Sequence, residues 1–234
     1  MTAAELIAQA AKRLSDAGVP EPELDAKILF LEAFHMDQVH FLMNRMRPLT
    51  EEQRAQQETY EVMIDRRSAR VPLQQILGSQ EFMGLTFRVT PDVLIPRQDT
   101  ETLVEQVLQE QKDPDIRLLD LCTGSGCILL SLLHYSNDCE GTGVDISKEA
   151  LQVAALNAEL LGIKADFLKS DLYEKVTGKF DLLVSNPPYI ERKVIPTLME
   201  EVREYDPYIA LDGGEDGFDF YRRIIGGAQD YLER

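Results

Sequence analysis

Apolar residues recur at helical spacing through the first third of the chain. Leu6, Ile7, Ala10 and Leu14 follow Thr2-Ala3-Ala4-Glu5, which fits a capping box, and Gly18 and Pro20 are stop signals. Pro22 opens a second helix whose Ile28, Leu29, Leu31 and Phe34 form an apolar face. Thr50-Glu51-Glu52-Gln53 repeats the capping pattern and starts a third helix running towards Arg66. Around Glu81 the period changes, and residues 82–89 predict a short hairpin with Gly84 at its bend. The boundary between a helical N-terminal domain and the rest is expected within 75–90.

From Gln98 onward the pattern alternates. Short apolar runs at 117–121, 140–145, 165–168 and 179–185 read as strands. Periodic segments at 128–135, 147–161 and 215–232 read as helices. Strand–helix alternation of this kind predicts right-handed crossovers and a parallel, doubly wound sheet. No internal repeat or low-complexity segment is present.

Two loops of this sheet carry candidate chemistry. Asp120-Leu121-Cys122-Thr123-Gly124-Ser125-Gly126-Cys127 follows the first strand, at the end where such sheets bind nucleotide-like ligands. Glycines there let a ligand approach the backbone. About 20 residues on, Asp145 ends the second strand, where a carboxylate can accept hydrogen bonds from ribose hydroxyls. Taken alone, the loop is equally a tight turn with an N-cap aspartate. A dinucleotide site is a third reading, but Leu129 replaces the last glycine of that fingerprint and the loop has no basic residue for a phosphate. A nucleoside ligand without phosphates fits better, and S-adenosylmethionine is that kind of ligand. The second loop, Asn186-Pro187-Pro188-Tyr189, follows the fourth strand. Its prolines fix φ and remove two N–H donors, which holds Asn186 and the neighbouring carbonyls rigid. Tyr189 adds a flat surface for a planar group. As a bare tetrapeptide it is a proline-stiffened loop; beside the glycine loop in one sheet it is a substrate site.

Composition narrows the partners. The 234 residues carry a formal net charge of −17. Residues 1–90 hold 10 basic and 13 acidic side chains, whereas 91–234 hold 14 and 28. An acidic C-terminal domain repels phosphate backbones, which argues against a nucleic-acid substrate gripped over a large area and leaves room for a basic protein partner. The longest apolar stretch, 128–133, is too short for a membrane span. No secretory signal is visible at the N-terminus, and Cys122, Cys127 and Cys139 match no zinc spacing, so no metal site is expected. The expectation is a reduced, cytoplasmic protein without a membrane partner. His35, His40 and His134 read as core or surface residues, and Arg66, Arg67 and Arg70 as a solvated helix end or a partner-binding patch.

The glycine loop, Asp145 and the Asn-Pro-Pro-Tyr tetrad resemble the class I S-adenosylmethionine-dependent methyltransferases that modify planar exocyclic or amide nitrogens. The segments Arg70-Val71-Pro72-Leu73-Gln74-Gln75-Ile76-Leu77-Gly78, Ile95-Pro96-Arg97-Gln98-Asp99-Thr100-Glu101, Glu204-Tyr205-Asp206-Pro207 and Ala210-Leu211-Asp212-Gly213-Gly214 narrow the likeness. They look like the protein-(glutamine-N(5)) methyltransferases of peptide-chain release factors, the HemK/PrmC family. The resemblance implies a Rossmann-like sheet domain over 98–234, a hairpin or linker over 79–97 and a helical, release-factor-binding domain over 1–78. It implies S-adenosylmethionine as cofactor and S-adenosylhomocysteine as its product. Asp120, Cys122, Thr123, Gly124, Ser125, Gly126, Asp145, Asp171, Leu172 and Asn186 would hold the cofactor. Asn186, Pro187, Pro188 and Tyr189 would meet the substrate, with Asn186, Pro187 and Tyr189 as the catalytic set. The substrate implied is the glutamine of the Gly-Gly-Gln motif of class 1 release factors, acted on by a monomer. The runner-up is a nucleic-acid methyltransferase for adenine N(6) or guanine N(2), and a third possibility is a non-catalytic protein-binding module.

Two positions depart from the family pattern, which usually has Pro at Gln98 and Gly at Cys122. Arg97 and Glu101 are expected to make structural contacts near the cofactor pocket. A complete fold of the family adds a fifth strand and an antiparallel pair after the helix ending near Leu232. Roughly fifty further residues are therefore expected beyond Arg234, consistent with ordinary domain sizes.

Overall fold

The computed structural model describes residues 1–111, 113–136 and 138–233; Arg234, the last residue of the expected sheet domain, lies outside them. The chain divides into two compact units, Met1–Leu77 and Gly78–Arg234.

The first unit is helical: α1 (Ala3–Asp16), α2 (Pro22–Ala33), α3 (Gln38–Asn44), α4 (Glu51–Ser68) and α5 (Leu73–Leu77). Both capping boxes form. The Thr2 hydroxyl accepts from the Glu5 amide while Glu5 reaches back to the Thr2 amide, and Thr50 and Gln53 repeat the exchange. Leu6, Leu14, Leu29, Phe30, Tyr60 and Ile64 fill the core. Phe30 stacks on Phe34 with centroids 4.1 Å apart, and the buried Tyr60 hydroxyl donates to the Ala26 carbonyl. A buried ion pair, Arg67 Nε to Asp25 Oδ2 at 2.7 Å, ties the end of α4 to α2. Arg67 is thereby a core residue and not part of a solvated helix end.

The second unit opens with a hairpin, β1 (Ser79–Phe82) and β2 (Leu85–Arg88), paired from Ser79↔Arg88 to Phe82↔Leu85. Met83 and Gly84 make its two-residue turn, both at positive φ, as a type I′ turn requires. Phe82 and Phe87 pack edge to face and bury themselves in the core of the sheet unit. Helix α6 (Glu101–Glu110) follows. The alternating part is β3 (Arg117–Leu121), α7 (Cys127–Tyr135), β4 (Glu140–Asp145), α8 (Lys148–Leu161), β5 (Asp166–Lys169) and β6 (Leu182–Ser185). Three further helices follow: α9 (Glu200–Tyr205), α10 (Tyr208–Leu211) and α11 (Asp219–Ala228).

The four strands of the main sheet are parallel, in the order β5-β4-β3-β6. The chain moves outward from β3 through β4 to β5, then returns to lay β6 on the other side of β3. This reversal opens a crevice beyond the carboxyl ends of β3 and β6, where α/β sheets bind ligands. The fold is a Rossmann-like, doubly wound sheet with a helical N-terminal unit. The expected helix over 215–232 is shorter than its pattern, because Gly217 is left-handed at φ +78° and Asp216 accepts from the Phe218 amide. Among the described residues no helix is long and apolar enough to cross a membrane.

Candidate active site

The loop after β3 is built from left-handed residues. Cys122, Gly124 and Gly126 have φ of 59°, 54° and 79°. Gly126 then starts α7, the cost of positive φ being low only for glycine. The turn is braced from both sides. Thr123 donates its amide to the Val144 carbonyl of β4 at 2.9 Å, and its own carbonyl accepts the Gly126 amide at 2.9 Å. Its hydroxyl donates to Asp120 Oδ2 at 2.6 Å. From β4, Asp145 Oδ2 accepts the Gly124 amide and Oδ1 the Ser147 amide, each at 2.9 Å. Asn157 of α8 donates to the Ser125 carbonyl at 2.9 Å.

These contacts shape a cleft over the sheet's carboxyl edge. Cys122, Thr123, Gly124 and Ser125 line it, as do Asp145, Asp171 and Leu172 from the next two strand ends, and Asn186 and Pro188 from the loop after β6. Asp120 and Gly126 do not line it. Asp120 is wholly buried behind the loop, where lack of hydration raises its carboxyl to about 7, and its Oδ1 has no partner. Burial also raises the Asp145 carboxyl above its ordinary value, against the pull of three backbone N–H groups. The Cys122 and Cys127 thiols are pushed up to about 12 by burial and are neutral.

The Asn-Pro-Pro-Tyr loop is held differently. Both prolines are buried, Asn186 is half-buried and Tyr189 is 57% exposed. Asn186 Nδ2 donates to Thr100 Oγ1 at 3.4 Å, and among the described residues its carbonyl oxygen is the unengaged end. The segment after α10 runs alongside as a prop. Ile190 and Asp212 form a parallel bridge, and the Gly213 amide donates to the Ile190 carbonyl at 2.9 Å. A Cβ on Gly213 would lie 2.6 Å from Tyr189 Cα, and one on Gly217 would lie 2.4 Å from the Tyr189 carbonyl oxygen. Only glycine permits that approach. This explains why Gly213 and Gly217 sit beside the tetrad, a role the motif itself does not disclose.

A second cavity adjoins the cleft. Leu94, Arg97, Thr100, Asn186 and Ala210 line both, while Tyr189 lines the second alone. Arg97 Nη2 is 2.6 Å from Asp206 Oδ2, and the Asp206 side chain is fully buried. Burial raises the Asp206 carboxyl to about 6, opposed by the Arg97 charge. Glu101 turns away and accepts the Met83 amide of the hairpin at 2.6 Å. The sequence reading misses Ile146, Phe220 and Arg223, which also line the cleft. Arg223 Nη2 pairs with Asp171 Oδ1 at 2.8 Å across 52 residues of chain, a pairing without a local signal.

Residues 5–78 match the PrmC N-terminal domain and residues 98–204 the methyltransferase small domain. The chain is 42% identical over 236 residues to a release factor glutamine methyltransferase of Agrobacterium fabrum, covering 98% of this chain and 80% of that protein. It is 44% identical over 228 residues to one of Bradyrhizobium diazoefficiens, covering 95% and 76%, and 43% identical over 237 residues to one of Moorella thermoacetica, covering 99% and 82%. With both parts of the chain matched and this identity sustained across them, the chain belongs to the release factor glutamine methyltransferase family.

Proposed function

We propose that this chain methylates the side-chain amide nitrogen of the glutamine in the Gly-Gly-Gln motif of class 1 release factors, with S-adenosylmethionine as methyl donor. The observation that carries the reading is Asn186. It stands on the wall shared by the two cavities with its amide nitrogen turned to Thr100 and its oxygen available.

The cleft suits the cofactor's parts. Asp145 accepts backbone N–H groups on both oxygens and retains lone pairs for ribose hydroxyls. The left-handed turn at Gly124 presents backbone where a side chain would obstruct. When bound, S-adenosylmethionine supplies a methyl group already activated by its sulfonium. The protein's task is therefore to position a weak nucleophile, an amide nitrogen whose lone pair is delocalised. Asn186 Oδ1 and the Pro187 carbonyl accept the two N–H bonds of the substrate amide, raising electron density on nitrogen. Tyr189 packs over the amide plane. Positioning of this kind is worth up to ~7–11 kcal/mol of barrier, and fixed dipoles a few more. The tetrad contains no strong base, so the nitrogen sheds its proton to solvent after the new bond forms.

The helical unit takes the role of docking the release factor. The acidic balance of 91–234 favours a basic protein over a nucleic acid. One experiment tests the reading: incubation with methyl-labelled S-adenosylmethionine and, separately, a class 1 release factor, the same factor with its motif glutamine changed to alanine, duplex DNA and ribosomal RNA. Label is expected in the unaltered factor alone. Label in DNA or RNA, or equal label in the glutamine-free factor, would overturn it.

A further inference from the structure

The cleft is acidic and apolar over most of its wall, and among the described residues only two basic side chains line it, Arg97 and Arg223. They stand in different places. Arg223 is paired with Asp171, and its guanidinium lies 5.8 Å from the Phe220 ring centroid. It lines the cleft but not the second cavity. Arg97 lines both, together with Thr100 and Asn186.

A cofactor whose methyl group goes to a nitrogen held at Asn186 must bring its sulfur to that shared wall. The amino-acid tail of the cofactor hangs from the same sulfur and ends in a carboxylate. Burying a carboxylate in a cleft lined by Asp145 and Asp171 is unfavourable without a cation to meet it. From these placements we propose that Arg97 is the anchor for the cofactor's α-carboxylate, a role resting on the reading of the cleft as the S-adenosylmethionine site.

The neighbourhood of Arg97 is built for this. Asp206 holds one Nη through a single oxygen, at 2.6 Å, and is itself out of solvent. A guanidinium has five N–H donors in a planar fork, so this contact fixes the plane and leaves donors for a second, bidentate carboxylate. Asp206 also offsets the Arg97 charge, which would otherwise repel a sulfonium at close range. The strut joins residues 109 positions apart and brings the loop before α6 to the turn between α9 and α10. Asp206 is thus a positioning residue for Arg97.

The test compares ligands with and without the tail. Calorimetry on the full chain would use S-adenosylhomocysteine, 5′-methylthioadenosine, which lacks the amino-acid group, and decarboxylated S-adenosylmethionine. Wild type is expected to bind S-adenosylhomocysteine at least about tenfold more tightly than methylthioadenosine. Arg97→Met should lose about ten- to a hundredfold in affinity for S-adenosylhomocysteine while methylthioadenosine stays within about threefold, and Arg97→Lys should recover part of the loss. Equal losses for both ligands would mean a structural role and overturn the proposal, as would no loss for either. Should Arg97→Met not fold, wild type decides: equal affinity for S-adenosylmethionine and its decarboxylated form removes the carboxylate anchor. A wild type that binds methylthioadenosine and S-adenosylhomocysteine alike defeats the anchor alone; one that binds no nucleoside ligand defeats the cofactor reading as well.

Discussion

Asn186 and Thr100 are 86 residues apart in sequence and meet at 3.4 Å, the asparagine nitrogen donating and the threonine hydroxyl accepting. That contact turns the Asn186 nitrogen to Thr100, and in the proposed function it leaves the oxygen for the substrate amide. Asn186→Ala should lower kcat by at least about tenfold while cofactor affinity stays within a few-fold. Thr100→Val should lower kcat less, by a few-fold, and Thr100→Ser should restore it, because serine keeps the hydroxyl. Steady-state methylation of a release factor, with cofactor binding measured in parallel, checks both. Undiminished turnover in Asn186→Ala would remove the proposed role.

Gly217 props the tetrad from outside. Its φ is +78° and an added Cβ would overlap the Tyr189 carbonyl oxygen. Gly217→Ala should therefore shift Tyr189 and cut kcat about tenfold or more, since misplacement near 1 Å costs on the order of a hundredfold. S-adenosylhomocysteine affinity should change little, because the atoms nearest an added Cβ belong to Tyr189 and Glu191 and not to the glycine loop. A variant that keeps full turnover would show that Tyr189 need not be held.

Cys122 carries a side chain in the left-handed region, at φ 59°, where the family usually has glycine. Relief of that strain is worth about 1–2 kcal/mol, and the lost packing of a small sulfur side chain against the buried cluster that contains Leu121 and Val144 is of similar size. Cys122→Gly should accordingly leave stability within about 1 kcal/mol of wild type. Cys122→Val, with a branched Cβ, should cost about 2 kcal/mol or more. Thermal unfolding of the two variants separates these outcomes; equal stability would mean that the turn relaxes.

Asp120 makes stability depend on pH. Its carboxyl rises from 3.8 to about 7 through burial, only partly offset by the Thr123 hydroxyl. The folded chain keeps a proton there that the unfolded chain has already released. The contribution is complete below 3.8 and is lost as pH climbs to about 7. Asp120→Asn abolishes this titration, so the variant should gain on wild type in Tm between about pH 5 and about pH 8. A Tm difference that stays constant over that interval would mean Asp120 titrates normally.

The parts of the site that were legible in sequence are contiguous. The glycine loop and the tetrad each follow a strand, and their residue types announce turns and close backbone approach. Their meeting at one cleft follows from the strand order, which a parallel reading implies but does not fix. Arg97–Asp206 and Arg223–Asp171 were illegible because each joins distant residues with no local periodicity. Helix α6 escaped notice for another reason: it emerges from a 3-10 turn, and Thr100 makes no side-chain cap. Helix α3 is seven residues long and buries Phe41 while leaving Val39, Leu42 and Met43 exposed, so its apolar positions trace no helical face.

Asn157 gives the hairpin a consequence beyond its two strands. Wholly buried on α8, it accepts the Arg88 amide at 2.7 Å and donates to the Arg88 carbonyl at 3.2 Å, while its other N–H holds Ser125. One carboxamide thus imitates the edge of an absent neighbouring strand for β2, a ribbon that would be marginal unaided. Because the same group grips the turn under the cleft, fraying of the ribbon would loosen that turn with it. Damage at residue 88 would then surface as weakened ligand capture in the cleft beside Ser125.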